Sequence, residues 1–459
     1  MFDLEAKIQS WKRYLYENGS YDVIALDALE EKLRSDLSVL EQTGLDGEEA
    51  FIISTRRISA AEQRFVIPPV EIVWPRLQTA DVGYRKREMI FVVGLALLGG
   101  LLGKFPALFG YGDIDTYGLI YMKNAALFAL FPIAIYYIWK RSLPIPRSLV
   151  YLAAFPIAAL FVNLYPSYEP HHTSLLMVLH LPISLLYIMM YFYGGPNKKY
   201  NRDQSITTSS IGWTEPETRL NYIRCVGETF IHTILIVLGA MVLIGLTVGT
   251  FDLIKIDISG FLTTWILPFG LFGIAMIAVY LVEQKKALHE GIAPILAKIF
   301  IPLFLIVIVS LIVAFLITPN AAIEQRTLLL WFDIIIAFVL ALNLYAMSAK
   351  DQAYPDKSKF WDILTFAMVI AAIIADLIAL SGILIRLSSY GISANKLAVL
   401  GENVIMLVNL VLLAIHYGRY MAKKDKYKNV VVMQMKFLDA YAIWATFVVI
   451  AFGPLFGFR

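Results

Sequence analysis

The sequence predicts an all-α protein: a polytopic membrane helix bundle of about eleven transmembrane helices, with a small cytoplasmic helical domain at the N-terminus. Hydrophobic residues make up 59% of the chain and charged residues only 16%, well below the roughly 25% of a soluble domain. Eleven apolar stretches are each long enough to cross a bilayer. The first 87 residues are polar by contrast, so the chain divides into a soluble head and a membrane part.

The head is predicted in residues 1–65, as three short helices. The first helix places Leu4, Ile8, Trp11 and Leu15 on one face, at the spacing of an amphipathic helix. The second, over residues 21–43, turns a longer apolar stripe inward: Ile24, Leu26, Leu29, Leu33, Leu37 and Leu40. Asp46 followed by Glu49 predicts a capping box that starts the third.

The rest of the chain is predicted to alternate between spans and connections. Residues 66–87 contain three prolines and end in basic residues, which favours a linker. We predict transmembrane helices 1–4 in residues 88–193, a cytoplasmic loop over 194–218 and transmembrane helices 5–11 in 219–459. The predicted spans are 88–110, 118–139, 148–166, 173–193, 219–250, 260–282, 294–318, 326–348, 361–385, 397–417 and 437–456.

Loop charge predicts the orientation. If the head is cytoplasmic, the cytoplasmic connections hold 20 lysines and arginines and the outer side holds 7. Cytoplasmic loops are enriched in basic residues, so the expected location is the cell inner membrane, with the N-terminus in the cytoplasm and the C-terminus outside. No cleavable signal peptide is evident, because the first residues are polar. The expected surroundings are a lipid bilayer, and no feature favours nucleic acid.

The head resembles the permease prefix domain, a module found at the N-terminus of bacterial multi-pass membrane proteins. The "MFDLE" opening, the "LEEKLRSDL" helix and the "GLDGEEAF" turn carry the resemblance. It implies a regulatory or partner-binding role, with a cytoplasmic protein partner held by residues 1–65, and no catalytic residues. The membrane part is similar to an uncharacterised bacterial multi-pass family, through "HHTSLLMVLHLPISLLY", "RLNYIRCVGETFIH" and "RLSSYGISANKL". That likeness implies no activity.

Several polar residues lie inside predicted spans, where a polar side chain is expensive and is by default a functional candidate. Glu402, Asn409 and His416 recur every seven residues and share one helical face. The ninth and tenth spans form a hairpin that turns near Ser389, which sets Asp376 level with Glu402, and Asp362 level with His416. Asp376 and Glu402 are expected roughly 8–10 Å below the outer surface, at about 1.5 Å per residue.

These residues predict a substrate or proton pocket in the outer half of the bundle. Asp333 and His180 reach a comparable depth, and Asn163 lies near it. If the groups converge, at least one carboxyl keeps its proton near neutral pH, because like charges in a low dielectric cannot all ionise. Asn409 and His416 would continue the pocket inward. The alternative is that separate helix–helix hydrogen bonds satisfy each group. The complete predicted set is His180, Asp333, Asp376, Glu402, Asn409 and His416.

A second polar group is predicted near the cytoplasmic surface. Arg224, Glu228 and His232 are spaced four residues apart on the fifth span. They are interpreted either as an interfacial ion pair or as a cytoplasmic gate. The outer "YEPHHTS" segment brings Glu169, His171 and His172 together, but a metal site needs more ligands, so we expect a solvated loop. We predict no metal, no cofactor and no catalytic residue.

Three functions are open. The first is a permease or transporter of an unknown small solute or ion, coupled to protons through Asp376 and Glu402. The second is a membrane sensor or regulatory subunit that signals through the head. The third is a membrane-embedded transferase, which is the weakest because the sequence shows no nucleophile elbow and no HExxH motif.

Overall fold

In the computed structural model, the described residues are 4–18, 23–42, 46–62, 75–112, 114–195, 212–253, 255–285, 293–317, 326–349 and 359–459. They form helices and no strand, which confirms the predicted all-α class. The chain separates into two compact units, residues 1–88 and 89–459. Each unit has its own hydrophobic core.

The first unit contains α1 (Leu4–Asn18), α2 (Val23–Gln42) and α3 (Gly47–Glu62). Its core consists of the predicted apolar stripe and the start of α3: Ile8, Trp11, Leu26, Leu29, Leu33, Leu37, Leu40, Ala50 and Phe51. The side chains of Leu15 and Ile24, which we also expected to point inward, lie outside the described residues.

The predicted capping box is confirmed. The Asp46 carboxylate accepts hydrogen bonds from the Glu48 and Glu49 amides at 3.0 and 2.8 Å. The Glu49 carboxylate in turn accepts one from the Asp46 amide at 3.4 Å. Two amide donors that a helix start leaves unpaired are thereby satisfied, which explains why α3 begins at this position.

An ion-pair network joins α1 to α2. Lys12 donates to Asp27 at 2.6 Å and to Glu30 at 2.7 Å. Arg34 donates to Glu5 and to Glu30. The hydrogen bond from Lys12, then that from Arg34, lowers the pKa of Glu30 against the opposing effect of burial. Because three short helices bury little apolar surface, this network is a noticeable part of what holds the head together.

The described residues include eleven helical segments long and apolar enough to cross a membrane, the first of which begins at Lys86. The predicted count is confirmed, and the chain is a multi-pass membrane protein. The helices are α4 (Pro75–Leu108), α5 (Ile114–Lys140), α6 (Ile145–Leu152), α7 (Ala154–Leu164), α8 (His172–Gly194), α9 (Pro216–Leu253), α10 (Ser259–Phe261), α11 (Leu267–Lys285), α12 (Ala293–Ile317), α13 (Arg326–Ala349), α14 (Lys359–Tyr390), α15 (Ala394–Met421) and α16 (Tyr427–Leu455).

Three details differ from the sequence expectation. The predicted linker is helical from Pro75 onward, since α4 runs without a break into the first span; residues 66–74 lie outside the described part. The third span is two helices, α6 and α7, joined at Ala153. Pro156 explains the break, because it has no amide proton to donate to the carbonyl of Leu152. A π-helical turn, Leu262–Ile266, joins α10 to α11.

The core of the second unit forms around α8, α15 and α16. α8 packs against α5 and α16, and α15 lies between α14 and α16. Gly401 on α15 lets Trp444 on α16 lie directly against the backbone, where a methyl group would overlap the indole ring. Since successive spans alternate in direction, the C-terminal ends of α5, α8, α11, α13 and α15 lie at one end of the bundle. We call it the basic end, after its lysines and arginines.

Candidate functional site

Four helices bring together four of the six residues predicted for the pocket. His180 on α8 contacts Glu402 on α15, with Nε2 and Oε1 2.7 Å apart. Asp333 on α13 interacts electrostatically with Glu402 and with the amide of Asn403. Asp376 on α14 interacts electrostatically with Asp333. We call Asp333, Asp376 and Glu402 the acidic cluster.

The pairing of His180 and Glu402 requires one shared proton. His180 Nδ1 lies 2.7 Å from the carbonyl oxygen of Leu176, which can only accept, so Nδ1 carries a hydrogen. Nε2 faces a carboxylate oxygen, and a contact this short between two acceptors needs a hydrogen on one of them. The pair is therefore either a neutral imidazole with a carboxylic acid or an imidazolium with a carboxylate.

Asp376 is the most enclosed member of the acidic cluster. Its side chain has no exposed area, and neither carboxyl oxygen has a hydrogen-bond partner among the described residues. Asp333 Oδ1, Asn403 Oδ1 and Asn409 Oδ1 are also buried without a partner there. Every unsatisfied atom of these four side chains is an oxygen that accepts hydrogen bonds. These four side chains therefore lack a partner that carries a proton or a positive charge.

Asn409 adjoins the acidic cluster through Tyr441 on α16. Asn409 donates to the Tyr441 hydroxyl at 2.7 Å, and Tyr441 interacts electrostatically with Asp376. Beyond Asn409, the buried positions of α15 are Leu410, Leu413 and Tyr417, so two apolar residues separate Asn409 from the next buried polar side chain. The polar stripe seen in the sequence is therefore interrupted on the inside of the bundle.

His416 lies apart from the acidic cluster, at the basic end. Its Nδ1 is 4.0 Å from the carboxylate of Asp425, in the connection between α15 and α16. Asp362, expected level with His416, accepts hydrogen bonds from Tyr417 at 2.8 Å and Tyr420 at 3.3 Å. These contacts agree with the predicted register of the hairpin, but they do not continue the pocket inward through His416.

The Arg224, Glu228 and His232 group lies inside the bundle. Glu228 and His232 are buried, and His232 Nδ1 bonds to the Glu228 carbonyl rather than to its side chain, at 2.7 Å. Arg224 and Glu228 both interact electrostatically with the Tyr345 hydroxyl on α13, and Arg224 Nε is buried without a hydrogen-bond partner. The group therefore ties α9 to α13.

Two polar groups at the basic end were missed by sequence reasoning. In the first, the Glu283 carboxylate on α11 faces Tyr137, Arg141 and Cys225, at 3.4, 3.4 and 3.8 Å. In the second, Asp439 on α16 accepts hydrogen bonds from Tyr187 at 2.6 Å and Arg219 at 2.7 Å. Their members come from distant parts of the sequence, and tyrosines at helix ends look like ordinary interface residues. No local spacing indicated them.

Other predicted polar residues find local partners. Asn163, expected near the pocket in depth, instead pairs with Asn124 on α5 through two reciprocal amide hydrogen bonds of 2.9 Å. His171 contacts the Ser167 hydroxyl at 2.9 Å. Within the described ranges, no group of three or more histidine, cysteine, aspartate or glutamate side chains has the geometry to hold a metal ion.

Comparison with known proteins adds no assignment. No protein-family model, no curated protein and no solved structure matches this chain. The likeness of the head to the permease prefix domain therefore stays a prediction, as does the likeness of the membrane part. The function has to be argued from the acidic cluster and its surroundings.

Proposed function

We propose that this protein is a permease that couples the movement of a small solute or ion to protons, with Asp333, Asp376 and Glu402 as the proton-binding groups. The observation that carries the proposal is the position of Asp376, which is fully enclosed between membrane-spanning helices without a hydrogen-bond partner in the described structure. An ionised carboxylate in such a place costs several kcal/mol, by order of magnitude. Residues retained at that cost inside a membrane commonly serve ion or proton pathways.

The neighbours of Asp376 support a proton as the coupling ion. Asp333 and Glu402 are two further carboxyls within electrostatic reach of one another. The nearest basic side chain, His180, is already engaged at both ring nitrogens. A proton shared among the carboxyls relieves their mutual repulsion and supplies the missing donor. The side chain of Glu402 is 35% exposed, so it is less enclosed by protein than Asp376.

We also propose the membrane orientation that loop charge favours. The basic end then faces the cytoplasm, and the acidic cluster lies in the outer half of the inner membrane. Protons from outside would reach the cluster over a short distance and leave toward the basic end.

The test is ligand-dependent thermal unfolding of the full chain in detergent, against a panel of solutes and ions from about pH 5 to 8. A ligand at a hundredfold excess over its Kd stabilises the folded protein by about 2.7 kcal/mol. We expect a pH-dependent shift in the wild type that is lost in an Asp376→Asn, Glu402→Gln double variant. Asp362→Asn is the matched control, because Asp362 lies outside the cluster and bonds to tyrosines. An equal shift at every pH in all three proteins contradicts the proposal.

A second candidate is a membrane sensor or regulatory subunit that acts through the head. The supporting observation is that residues 1–88 form a compact unit with a core of its own. This function predicts that deletion of residues 1–65 leaves the unfolding of the bundle unchanged and removes a specific crosslinked partner in cells. Identical crosslinks from the full and shortened chains contradict it.

A further inference from the structure

One face of α8 carries three polar side chains, each paired with a different residue. His180, Ser184 and Tyr187 are spaced by four and three residues and so share a face. His180 pairs with Glu402 at 2.7 Å. Ser184 pairs with the Thr446 hydroxyl at 3.0 Å. Tyr187 donates to Asp439 at 2.6 Å. We call these three pairs the α8 ladder.

The ladder connects the acidic cluster to the basic end. At one end, Glu402 belongs to the cluster and interacts electrostatically with Asp333. At the other end, Asp439 accepts a hydrogen bond from Arg219, in the first turn of α9. The rungs are about 6 Å and about 4.5 Å apart along the helix axis, at 1.5 Å per residue. A single water molecule bridges polar groups at such separations.

Protein does not fully enclose the ladder. The side chain of Asp439 is 43% exposed and that of Glu402 is 35% exposed. Thr446 is exposed, and Ser184 is half-buried. The exposed residues of α8 beside this polar face are apolar: Leu175, Leu179 and Ile183. The ladder therefore runs from the buried His180 to pairs that lie at the surface of the helix bundle.

We propose that the α8 ladder is the route by which protons pass from the acidic cluster to the basic end. This inference rests on the proposed proton-coupled function and replaces the inward path through Asn409 and His416, which the structure interrupts. A proton passes from Asp376 to Asp333 and then to Glu402, and the proton held between Glu402 and His180 moves to a water molecule that bridges to the Ser184 hydroxyl. Each hydroxyl of Ser184, Thr446 and Tyr187 releases one proton as it accepts another, so none keeps a charge. Asp439 accepts the proton last and releases it to water.

The Ser184 and Thr446 rung is the best point to interrupt the route, because both residues are uncharged and neither belongs to the acidic cluster. Thr446→Val keeps the shape of the side chain and removes its hydroxyl. Thr446→Ser keeps the hydroxyl and removes a methyl group. Thr247→Val on α9 is the matched control, since its hydroxyl bonds to the Leu243 carbonyl of its own helix and, like Ser184, it is half-buried.

The measurement is proton uptake by proteoliposomes that contain the full chain and the trapped pH dye pyranine, driven by a potassium diffusion potential with valinomycin. We expect uptake to fall about tenfold or more in the double variant Ser184→Ala, Thr446→Val. A loss of this size is typical when a proton-transfer group is removed. Uptake should recover in Thr446→Ser and stay at the wild-type rate in Thr247→Val. Tyr187→Phe, which interrupts the next rung, should lower it independently.

The outcomes separate the two proposals. If uptake is lost in Asp376→Asn but persists in the Ser184, Thr446 and Tyr187 variants, the ladder is wrong and the proposed function stands. If the wild-type protein takes up no protons under this potential, the ladder is wrong, whereas the proposed function stands or falls with the ligand-dependent unfolding test. A fall in Thr446→Val that Thr446→Ser does not repair assigns the effect to packing and also overturns the ladder.

Discussion

His180 on α8 and Glu402 on α15 hold a single proton between them, although the two residues are 222 positions apart in sequence. The carbonyl of Leu176 fixes the hydrogen on Nδ1, so the proton between Nε2 and Oε1 is the only one that the pair exchanges. Because Glu402 also interacts with Asp333, this hydrogen bond links the acidic cluster to the α8 ladder. This hydrogen bond therefore belongs both to the proposed proton-binding site and to the proposed proton route. Its strength can be measured.

Removal of His180 should destabilise the bundle more than replacement of Glu402. In His180→Leu, the carboxyl of Glu402 loses its partner in a half-buried site, which costs about 1–3 kcal/mol. In Glu402→Gln, the amide still donates to Nε2, so the change should stay below about 1 kcal/mol. Thermal unfolding of the full chain in detergent measures both. Equal losses in the two variants would mean that the hydrogen bond contributes no specific stability.

The head should lose stability as pH falls through the acid range. Glu30 has a lowered pKa because Lys12 and Arg34 donate to its carboxylate, so its contribution is complete above the unfolded value of about 4.3 and is lost as pH falls through the lower folded value. Lys12→Met should weaken the head by about 1 kcal/mol at neutral pH. Hydrogen exchange of the α1 and α2 amides in the full chain measures this effect.

The control for that prediction is Lys7→Met on the exposed face of α1. It removes the same charge from the same helix without touching Glu30. If Lys7→Met and Lys12→Met accelerate exchange equally, the loss follows net charge and not the Lys12 network. If the α1 and α2 amides exchange faster in Lys12→Met than in the wild type down to about pH 3, Glu30 is not the group that gives the head its pH dependence.

Cys225 should react slowly with maleimides until the Glu283 group is disturbed. It is the one cysteine in the sequence, is buried, and lies beside Tyr137 and Glu283. Glu283→Gln removes the charge that holds Arg141 over this site. We therefore expect the labelling rate of Cys225 to rise about tenfold. A rise of this size corresponds to a local opening whose free energy is lower by roughly 1.4 kcal/mol. Labelling followed by mass spectrometry gives the rate. An unchanged rate would show that Glu283 does not control access to Cys225.

Gly401 should not tolerate a side chain. A methyl group there overlaps the Trp444 ring, and overpacking of this kind typically costs about 1–3 kcal/mol. Gly239 on α9 has open space around it, so Gly239→Ala should be neutral or slightly stabilising, because alanine favours the helix. Unfolding temperatures of the two variants provide the comparison. Similar temperatures would contradict the close packing of α15 against α16.

Prediction from sequence succeeded where one helix or one hairpin contains the information. The Asp46–Glu49 capping box is local, and hydropathy alone marks the membrane spans. The register of the α14–α15 hairpin also followed from counting residues on either side of its turn, and the Tyr417–Asp362 hydrogen bond agrees with it. Rotation about each helix axis was beyond prediction, because a nearly uniform apolar surface gives little periodicity from which to read the buried face.

His416 and Asp439 illustrate that limit. His416 shares a helical face with Glu402, yet it ends beside Asp425, because the α15–α16 connection folds back onto it. Asp439 gave no signal in the sequence, since its partners Tyr187 and Arg219 lie more than 200 positions away. Side-chain partners across three helices depend on packing angles that local spacing does not encode.

The sequence by itself determined that this is an all-α, multi-pass membrane protein with a small helical head, because bilayer thickness and backbone hydrogen bonding leave a long apolar segment few alternatives to a helix. It also supplied the polar residues and their depths. Only the tertiary structure decided which of them meet. It placed Asp376 beside Asp333, closed the hydrogen bond between His180 and Glu402, and aligned Ser184 and Tyr187 with α16. Depth follows from counting residues, whereas convergence depends on how each helix is rotated against its neighbours.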